Sequence, residues 1–495
     1  MKVVGHFING ETCTPKGRMQ DVYNPATGEA EKLVLLASKA TVNDAIVSAQ
    51  SAFIEWRNTP VSKRARVMFK FKSLLEEHAD EIIALIGAEH GKISHDAAGE
   101  LQRGIENVEF ACGAPQLLKG EHSKNVGPSI DSWSEFQPLG VVAGITPFNF
   151  PAMVPLWMFP VAIVCGNTFI LKPSEKVPLS SIRLGELLSE AGLPPGVFNI
   201  VHGDKECVDA LLMDPRVAAV SFVGSTAIAK YVYQVGTANG KRVQSAGGAK
   251  NHLVIMPDAD VSLAVKALAA SAYGCAGQRC MAGSVAVAVG KVADPLVEEL
   301  CSYASGFNVG PTDNNPDSDM GPLINQDAVD RVTKYLDVAA SEGATVALDG
   351  RRDFAGDGFL VGPSVIDAVE PNMRVAKEEI FGPVLSVMRT GDLETAIAVG
   401  DECEYGNGAS IFTRDGHAAR EFKRRFNAGM IGINVGVPAP MAWLPFTGWN
   451  QSFFGDLHVQ GTEGIHFYTR QKMTLTRWFE SPDDSHLDPV WAAKT

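Results

Sequence analysis

The sequence has little positive charge. Its 43 lysines and arginines stand against 57 aspartates and glutamates, which gives a net charge of −14 over 495 residues. Nucleic acids and anionic membranes bind to basic surfaces, so this balance argues against both as partners. The N-terminus also lacks the apolar core of a signal peptide, and we expect a cytoplasmic protein. The length and the hydrophobic content of 45% predict about two or three globular domains with a large core.

The cysteines lack the spacing of a metal or disulfide site. There are eight of them, and none forms a CxxC pair or a cluster with histidine. We therefore expect no metal site, and most of the cysteines should be reduced, buried thiols.

Charged residues are absent from residues 136–171, a segment long enough to suggest a membrane span. Five prolines, at positions 138, 147, 151, 155 and 160, interrupt it. Because proline breaks a regular helix, the segment predicts a buried strand, a tight turn and a buried helix instead.

Short apolar runs alternate with amphipathic segments in two blocks, from about residue 139 to 250 and from about 253 to 435. This alternation predicts an α/β fold with parallel, doubly wound sheets. The predicted strands are 141–145, 168–171, 197–201, 219–223, 253–256, 284–289, 409–413 and 430–434, and the predicted helices are 179–191, 205–213, 227–238, 261–272 and 327–341. We expect residues 464–469 and those that follow to form an exposed strand, and the polar residues 481–495 to be loosely ordered.

Three polar segments, 145–151, 172–175 and 222–226, follow successive predicted strands. Ligands of open α/β sheets bind beyond the carboxyl ends of strands. Lys172 and Glu175 can reach the two hydroxyls of an adenosine ribose, and Ser225 with the free amides of a helix start suits a pyrophosphate. A solvated turn or a helix N-cap would explain any one of these segments alone. The three segments together, at the ends of successive strands, indicate a dinucleotide site. A free Glu175 carboxylate would repel a 2′-phosphate, which favours NAD over NADP.

Two further motifs complete the pattern. Residues 277–280, Gly-Gln-Arg-Cys, follow a segment of small residues, and residues 246–251, Ala-Gly-Gly-Ala-Lys-Asn, lie upstream. With the three polar segments, these motifs resemble the aldehyde dehydrogenase family over residues 7–469. The resemblance implies a Rossmann-like NAD-binding domain (1–119 and 139–249), an α/β catalytic domain (250–462), a small β-hairpin oligomerisation element (120–138 with 463–481) and a polar tail (482–495). It also implies a homo-oligomer, either a dimer or a homotetramer.

The resemblance assigns roles to individual residues. Cys280 is the implied nucleophile, whose thiolate attacks an aldehyde, and Asn149 donates its side-chain amide to the resulting oxyanion. Glu379 and Phe381 are expected to position the nicotinamide ribose and ring. The full set of implied cofactor-binding residues is Thr146, Phe148, Lys172, Glu175, Lys176, Ser225, Gly247, Glu379 and Phe381. Ala229 stands where the family often has glycine, and we expect a slightly altered helix packing there.

Within the family, residues 103–112, 248–252, 277–282, 446–448 and 452–456 resemble the CoA-acylating branch, which acts on methylmalonate and malonate semialdehydes. Most of the family has a glutamate that activates water where this chain has Ala246, and the branch usually has asparagine. Alanine cannot take a proton, so we expect the enzyme thioester to be released to CoA, which is a better nucleophile than water near neutral pH.

A semialdehyde of this type carries a second, carboxylate group. Arg279, beside the nucleophile, and Arg103, on a predicted helix, are the candidates for binding it, although Arg103 could equally form a surface or interdomain ion pair. Three other functions stay open: a hydrolytic NAD-dependent aldehyde dehydrogenase with another base, an NADPH-using acyl-CoA reductase, and a catalytically silent scaffold. The sequence does not distinguish valine catabolism from inositol or β-alanine metabolism.

Overall fold

The structure, a computed structural model, describes residues 1–312, 317–352, 354 and 358–478. Its strands are β1 Lys2–Val4, β2 His6–Ile8, β3 Glu11–Cys13, β4 Arg18–Asn24, β5 Glu29–Leu36, β6 His122–Gly127, β7 Ile130–Pro138, β8 Val141–Ile145, β9 Thr168–Lys172, β10 Phe198–Ile200, β11 Val217–Val223, β12 Arg242–Ala246, β13 Asn251–Ile255, β14 Gly283–Val289, β15 Thr345–Leu348, β16 Ser364–Asp367, β17 Val384–Thr390, β18 Tyr405–Gly406, β19 Gly408–Phe412, β20 Met430–Ile433, β21 Trp449–Asn450, β22 Phe453–Phe454 and β23 Thr469–Arg477. Its α-helices are α1 Lys39–Trp56, α2 Val61–Glu77, α3 Ala79–His90, α4 Ser94–Cys112, α5 Ala114–Leu117, α6 Met153–Val164, α7 Pro178–Glu190, α8 Lys205–Met213, α9 Thr226–Ala238, α10 Val261–Tyr273, α11 Ala293–Ser305, α12 Gln326–Ser341, α13 Arg374–Lys377, α14 Leu393–Asp401, α15 Gly416–Arg425 and α16 Gly461–Phe467.

The first large sheet has the strand order β22-β12-β11-β8-β9-β10-β2-β3. Its central strands β12, β11, β8, β9 and β10 run parallel, as the alternation of apolar and amphipathic segments predicts. The uncharged segment forms the buried strand β8, a turn and the helix α6, which is buried along its whole length. The prediction for that segment is confirmed, and no helix in the described part of the chain is long and apolar enough to cross a membrane.

The second large sheet has the order β15-β16-β17-β14-β13-β19-β20. All its neighbouring strands run parallel except β15, which is antiparallel to β16. The predicted strands and helices of the second block are all present within one or two residues of their expected ends. The two sheets make an α/β fold, which confirms the predicted fold class.

A small separate sheet joins distant parts of the chain in the order β23-β7-β6. Strand β23 pairs with β7 along its whole length, from Thr469 opposite Pro138 to Arg477 opposite Ile130. The division into domains that the family resemblance implies remains a prediction.

The expected exposed strand from residue 464 onward is present from Thr469, where the largely exposed strand β23 begins, but the expectation is wrong for residues 464–467. Residues up to Phe467 belong to the helix α16, and the strand begins only at Thr469. Gly461, Gly464 and Ile465 are buried at helical spacing, and Ile465 is only 1% exposed. The alternating sequence of this segment resembled a strand, but its buried face repeats every three to four residues, as in a helix. The predicted loose tail, 481–495, lies outside the described residues.

Candidate active site

A cavity of about 300 Å³ lies beyond the carboxyl ends of β8 and β11. It has the shape and position expected of a dinucleotide site in an α/β sheet. The predicted residues that line it are Phe148, Asn149, Ser225, Gly247, Cys280, Glu379 and Phe381. We call it the cofactor cavity. Thr146, Lys172, Glu175 and Lys176 are not among its lining residues and lie beside it, at or just after the ends of β8 and β9.

The polar groups around the cofactor cavity are available to a ligand. Ser225 is the N-cap of α9, but its hydroxyl makes no capping hydrogen bond, so it can face a phosphate. Lys172 Nζ donates to Glu175 Oε2 over 3.1 Å, which holds both side chains at the sheet edge. The buried Thr146 hydroxyl has no hydrogen-bond partner in the described part of the chain. Lys176 places its ammonium 5.2 Å from the centre of the Phe148 ring.

Ala229, in place of the family's frequent glycine, is fully buried in α9. Its carbonyl accepts a hydrogen bond of 2.8 Å from the Ser245 hydroxyl on β12. The helix therefore packs on the sheet in spite of the extra methyl group, and it begins at Thr226, directly after the predicted phosphate-binding serine.

Cys280 follows a tight turn at Gly274–Gly277. Cys275, Ala276 and Gly277 all have left-handed backbone angles, and a Cβ at Gly277 would overlap the Gly382 carbonyl. After the turn, the Cys280 carbonyl accepts hydrogen bonds from Asn251 Nδ2 at 2.9 Å and Asn407 Nδ2 at 3.0 Å. The backbone of the cysteine is thus fixed by the first residue of β13 and by the residue that directly precedes β19.

Asn149 lies opposite this turn and is 4% exposed. Its Nδ2 donates to the Gln278 carbonyl over 2.8 Å. A carboxamide nitrogen carries two hydrogens, so one remains for a second acceptor. The structure therefore places the predicted nucleophile and the predicted oxyanion donor around one cavity.

Two acidic neighbours, Glu378 and Glu379, have opposite environments. Burial raises the pKa of Glu379 to about 7, and its Oε1 accepts from the Ala249 amide at 3.0 Å. Hydrogen bonds from Arg374 and Tyr335 lower the pKa of Glu378 to about 2.

The Cys280 thiol lies in surroundings that disfavour its ionisation. Burial is the larger cause and the charge of Glu379 the second, and together they raise the pKa of the thiol to about 12. Both the burial and the carboxylate therefore favour the neutral thiol over the thiolate.

Replacing Glu379 with glutamine should make the thiol more reactive. The ionised carboxylate favours the neutral thiol, so its removal lowers the pKa of Cys280 and raises the thiolate fraction at pH values above the pKa of Glu379, about 7, where that carboxylate is charged. We expect iodoacetamide to alkylate Cys280 at a lower pH in Glu379→Gln than in the wild type, as measured by mass spectrometry of the peptide across pH 7 to about 10. Glu378→Gln is the matched control and should leave the profile unchanged, and an unchanged profile in both variants would contradict the electrostatic argument.

A second cavity, also of about 300 Å³, approaches Cys280. We call it the substrate cavity. Its wall is largely apolar and aromatic, with Phe150, Met153, Trp157, Val437 and Phe446. Cys280 lines both cavities, so a group bound in either one can contact its thiol.

Both predicted carboxylate-binding arginines line the substrate cavity, and each already has an acidic partner. Arg279 Nη2 lies 2.6 Å from Asp96 Oδ1, and its Nε lies 3.2 Å from the Cys275 sulfur. Arg103 pairs with Glu106 over 3.0 Å, and its side chain is 41% exposed. A substrate carboxylate would have to share these guanidinium groups with the acids. Of the alternatives expected for Arg103, the surface ion pair is present, formed with Glu106 of the same helix.

Position 246 has no group that could activate water. Ala246 ends β12, where it pairs with Val223 on one side and Phe453 on the other, and it is 7% exposed. Glu378, the alternative base, is engaged by Arg374 and Tyr335. The local geometry therefore gives no base at the position where most of the family has one.

Several contributors to the site are absent from the sequence-based predictions. Gln278 accepts from the Ile324 amide through Oε1, while Asn251 and Asn407 hold Cys280. Lys92 donates to the Asn149 carbonyl over 2.6 Å. Asn251 and Gln278 had a local signal, because they belong to the 248–252 and 277–282 motifs, whereas Asn407 and Lys92 had none.

The fold and this arrangement define the class of protein. Residues 13–474 match the model of the aldehyde dehydrogenase family, and the chain belongs to that family. It is an oxidoreductase that acts on aldehydes.

Within the family, the chain is similar to dehydrogenases of malonate and methylmalonate semialdehyde. The malonate-semialdehyde dehydrogenase of Pseudomonas aeruginosa is 56% identical over 97% of both chains. The crystal structure of methylmalonate-semialdehyde dehydrogenase from Oceanimonas doudoroffii aligns with a TM-score of 0.96 at 57% identity, over 97% of this chain and 99% of that one. A Sinorhizobium meliloti protein, provisionally described as a methylmalonate-semialdehyde dehydrogenase and solved with NAD, aligns with the same TM-score at 48% identity, over 97% of this chain and 99% of that one.

Proposed function

We propose that this protein oxidises methylmalonate or malonate semialdehyde with NAD and transfers the product to CoA, giving propionyl-CoA or acetyl-CoA. The observation that carries the proposal is Cys280 at the meeting point of two cavities, with alanine where a water-activating glutamate would stand. The names of the relatives from Pseudomonas and Oceanimonas support the same substrates.

The residues around the cofactor cavity fit NAD. Ser225 and the amides at the start of α9 suit the pyrophosphate, while Lys172 and Glu175 suit the adenosine ribose. Glu379 and Phe381 would hold the nicotinamide ribose and ring. Bound NAD supplies a hydride acceptor beside Cys280. The carboxylate of Glu175 disfavours a 2′-phosphate, which weighs against an NADPH-using reductase.

The chemical steps follow from the groups at Cys280. The thiol loses its proton, the thiolate sulfur forms a bond to the aldehyde carbon, and the oxyanion is stabilised by Asn149. Loss of hydride from the same carbon gives a thioester on Cys280. The bond to the carboxylate then breaks and releases CO₂, because the thioester carbonyl stabilises the enolate, and protonation of carbon restores the acyl group. Finally the CoA thiolate attacks the thioester and frees Cys280.

CoA dependence tests the proposal. We expect a rapid burst of NADH from methylmalonate semialdehyde without CoA, and steady turnover with propionyl-CoA as product only when CoA is present. Rapid-mixing absorbance and product chromatography measure both. Sustained turnover to a free acid without CoA would instead identify a hydrolytic aldehyde dehydrogenase, and no burst at all would identify a catalytically silent scaffold.

Arg279→Leu should affect substrates with a carboxylate more than substrates without one. Removing a charged partner of a carboxylate costs about 1.5–3 kcal/mol, so kcat/KM for methylmalonate semialdehyde should fall about 10- to 100-fold further than for propanal. Arg103→Leu provides the parallel measurement on the more exposed arginine. Equal losses for both aldehydes would exclude a carboxylate-binding role and leave Arg279 as a structural partner of Asp96.

We further propose a cytoplasmic homo-oligomer, a dimer or tetramer. All eight cysteines are free thiols, which supports a reducing compartment. Strand β23 lies at an edge of its sheet and exposes Met473 and Leu475, at 69% and 45%, and Trp478 directly after the strand is 79% exposed. An exposed apolar edge of this kind favours pairing with a second copy.

A further inference from the structure

The turn between α3 and α4 contacts the loop that carries Asn149. The His90 ring stacks on Phe148, with ring centres 6.0 Å apart. Lys92 Nζ donates to the Asn149 carbonyl over 2.6 Å and lies 4.1 Å from the centre of the Phe150 ring. His90 at the end of α3 and Lys92 in the turn therefore contact three successive residues of the loop.

Lys92 also forms an ion pair with Glu100 on α4, and both side chains are 0% exposed. The second carboxylate oxygen of Glu100 accepts from the amides of Ala152 and Met153, at 2.9 and 3.1 Å. These amides begin the helix α6, immediately after the Asn149 loop. The pair thus fixes the loop at its centre and at its end.

All the donors of the Lys92 ammonium are engaged. A lysine has three N–H groups, and here they face Glu100, the Asn149 carbonyl and the Phe150 ring. Stability alone does not account for such a pair, because replacing a buried ion pair by apolar residues is often neutral or stabilising. Its position points to the geometry of Asn149 instead.

An oxyanion donor is effective only when it is held in place before the charge develops. The side chain of Asn149 is fixed by the Gln278 carbonyl, and its main chain is fixed by Lys92. We propose that Lys92 and Glu100 are positioning residues of the oxyanion hole, which rests on the role proposed for Asn149. Neither of them touches the reacting atoms in this assignment. Their effect is on the rate of the chemical step, through the placement of the Asn149 amide.

The test is a double-mutant cycle on the single-turnover burst of NADH. Lys92→Met keeps the length of the side chain and removes its charge, and it should slow the burst about 10- to 100-fold, somewhat less than loss of an oxyanion donor itself. The KM values for aldehyde and NAD should change less than about threefold, because substrate and cofactor binding do not depend on this amide. Asn149→Ala should slow the burst at least as much. In the Asn149→Ala background, Lys92→Met should add no further loss.

Lys241→Met is the matched control. Lys241 is also buried, 5% exposed, and donates to the Val217 carbonyl at 2.8 Å, at the start of β11 and away from Cys280. This variant should lower the melting temperature without slowing the burst. If Lys92→Met does not fold, Glu100→Gln takes its place in the cycle, because it removes the charge and keeps an oxygen for the α6 amides.

The outcomes separate the positioning role from the proposed function. Losses that add in the double variant, or a normal burst in Lys92→Met when Asn149→Ala is slow, would overturn the positioning role and leave the proposed function intact. A normal burst in Asn149→Ala would overturn the role of Asn149 itself, and the positioning role with it.

Discussion

Cys280→Ala should abolish NADH formation from any aldehyde, with a loss of at least about 10⁴-fold in kcat. The physical reason is that Cys280 lines both the cofactor cavity and the substrate cavity, and the turn before it fixes its backbone between them. Without the sulfur, no covalent adduct can form and no hydride can leave the aldehyde carbon. Stopped-flow absorbance of NADH measures the loss.

The same variant should still bind NAD, because the groups expected to hold the dinucleotide are on other segments. Isothermal titration calorimetry with NAD should give a Kd within about threefold of the wild type. Cys301→Ala, a half-buried cysteine on α11, is the control and should keep its full activity. Residual burst activity in Cys280→Ala above a few per cent would contradict the assignment of the nucleophile.

Ala246→Glu should convert part of the turnover to hydrolysis. A general base typically contributes 10²- to 10⁴-fold, so release of free acid from the acyl-enzyme should rise by about 10²-fold if the carboxylate reaches the thioester. Ala246 lies at the end of β12 next to Gly247, which lines the cofactor cavity, so a longer side chain has a short path to Cys280. Acid release without CoA, followed by chromatography, is the measurement.

Ala246→Gln distinguishes the effect of a proton-accepting carboxylate from the effect of a larger side chain at position 246. Glutamine has nearly the same size as glutamate but cannot take the proton of water, so its hydrolytic rate should stay at the wild-type level. A rise in both variants would mean that disturbance of β12 admits water. No rise in either would mean that the absence of a base at position 246 does not explain the dependence on CoA.

The sequence predicts the segments of this fold better than their contacts. Strand β8 and helix α6 follow from apolar runs and prolines that lie next to one another in the chain. The cofactor motifs are also local, since each is a loop at the end of one strand. Residues 464–467 were misassigned because the pattern of a short segment does not show which face becomes buried.

The remaining features depend on distant partners. Asp96 engages Arg279 across 183 positions, and Asn407 reaches the Cys280 carbonyl across 127. Lys92 and Glu100 look like ordinary surface charges in the sequence, yet both are fully buried. Such residues carry no local signal, because their role is set by tertiary packing that only the folded chain reveals.

The late strands β22 and β23 pair with strands from much earlier in the chain, and this order has a consequence for biosynthesis. Strand β23 completes the sheet of β6 and β7, and β22 extends the first large sheet beside β12. The other strands of these two sheets therefore emerge from the ribosome long before β22 and β23 exist, with the edges of β7 and β12 unpaired. Unpaired edges promote aggregation, so the nascent chain needs protection until translation is nearly complete. A chain terminated before Thr469 would keep every motif of the candidate site and still lack the strand that covers β7.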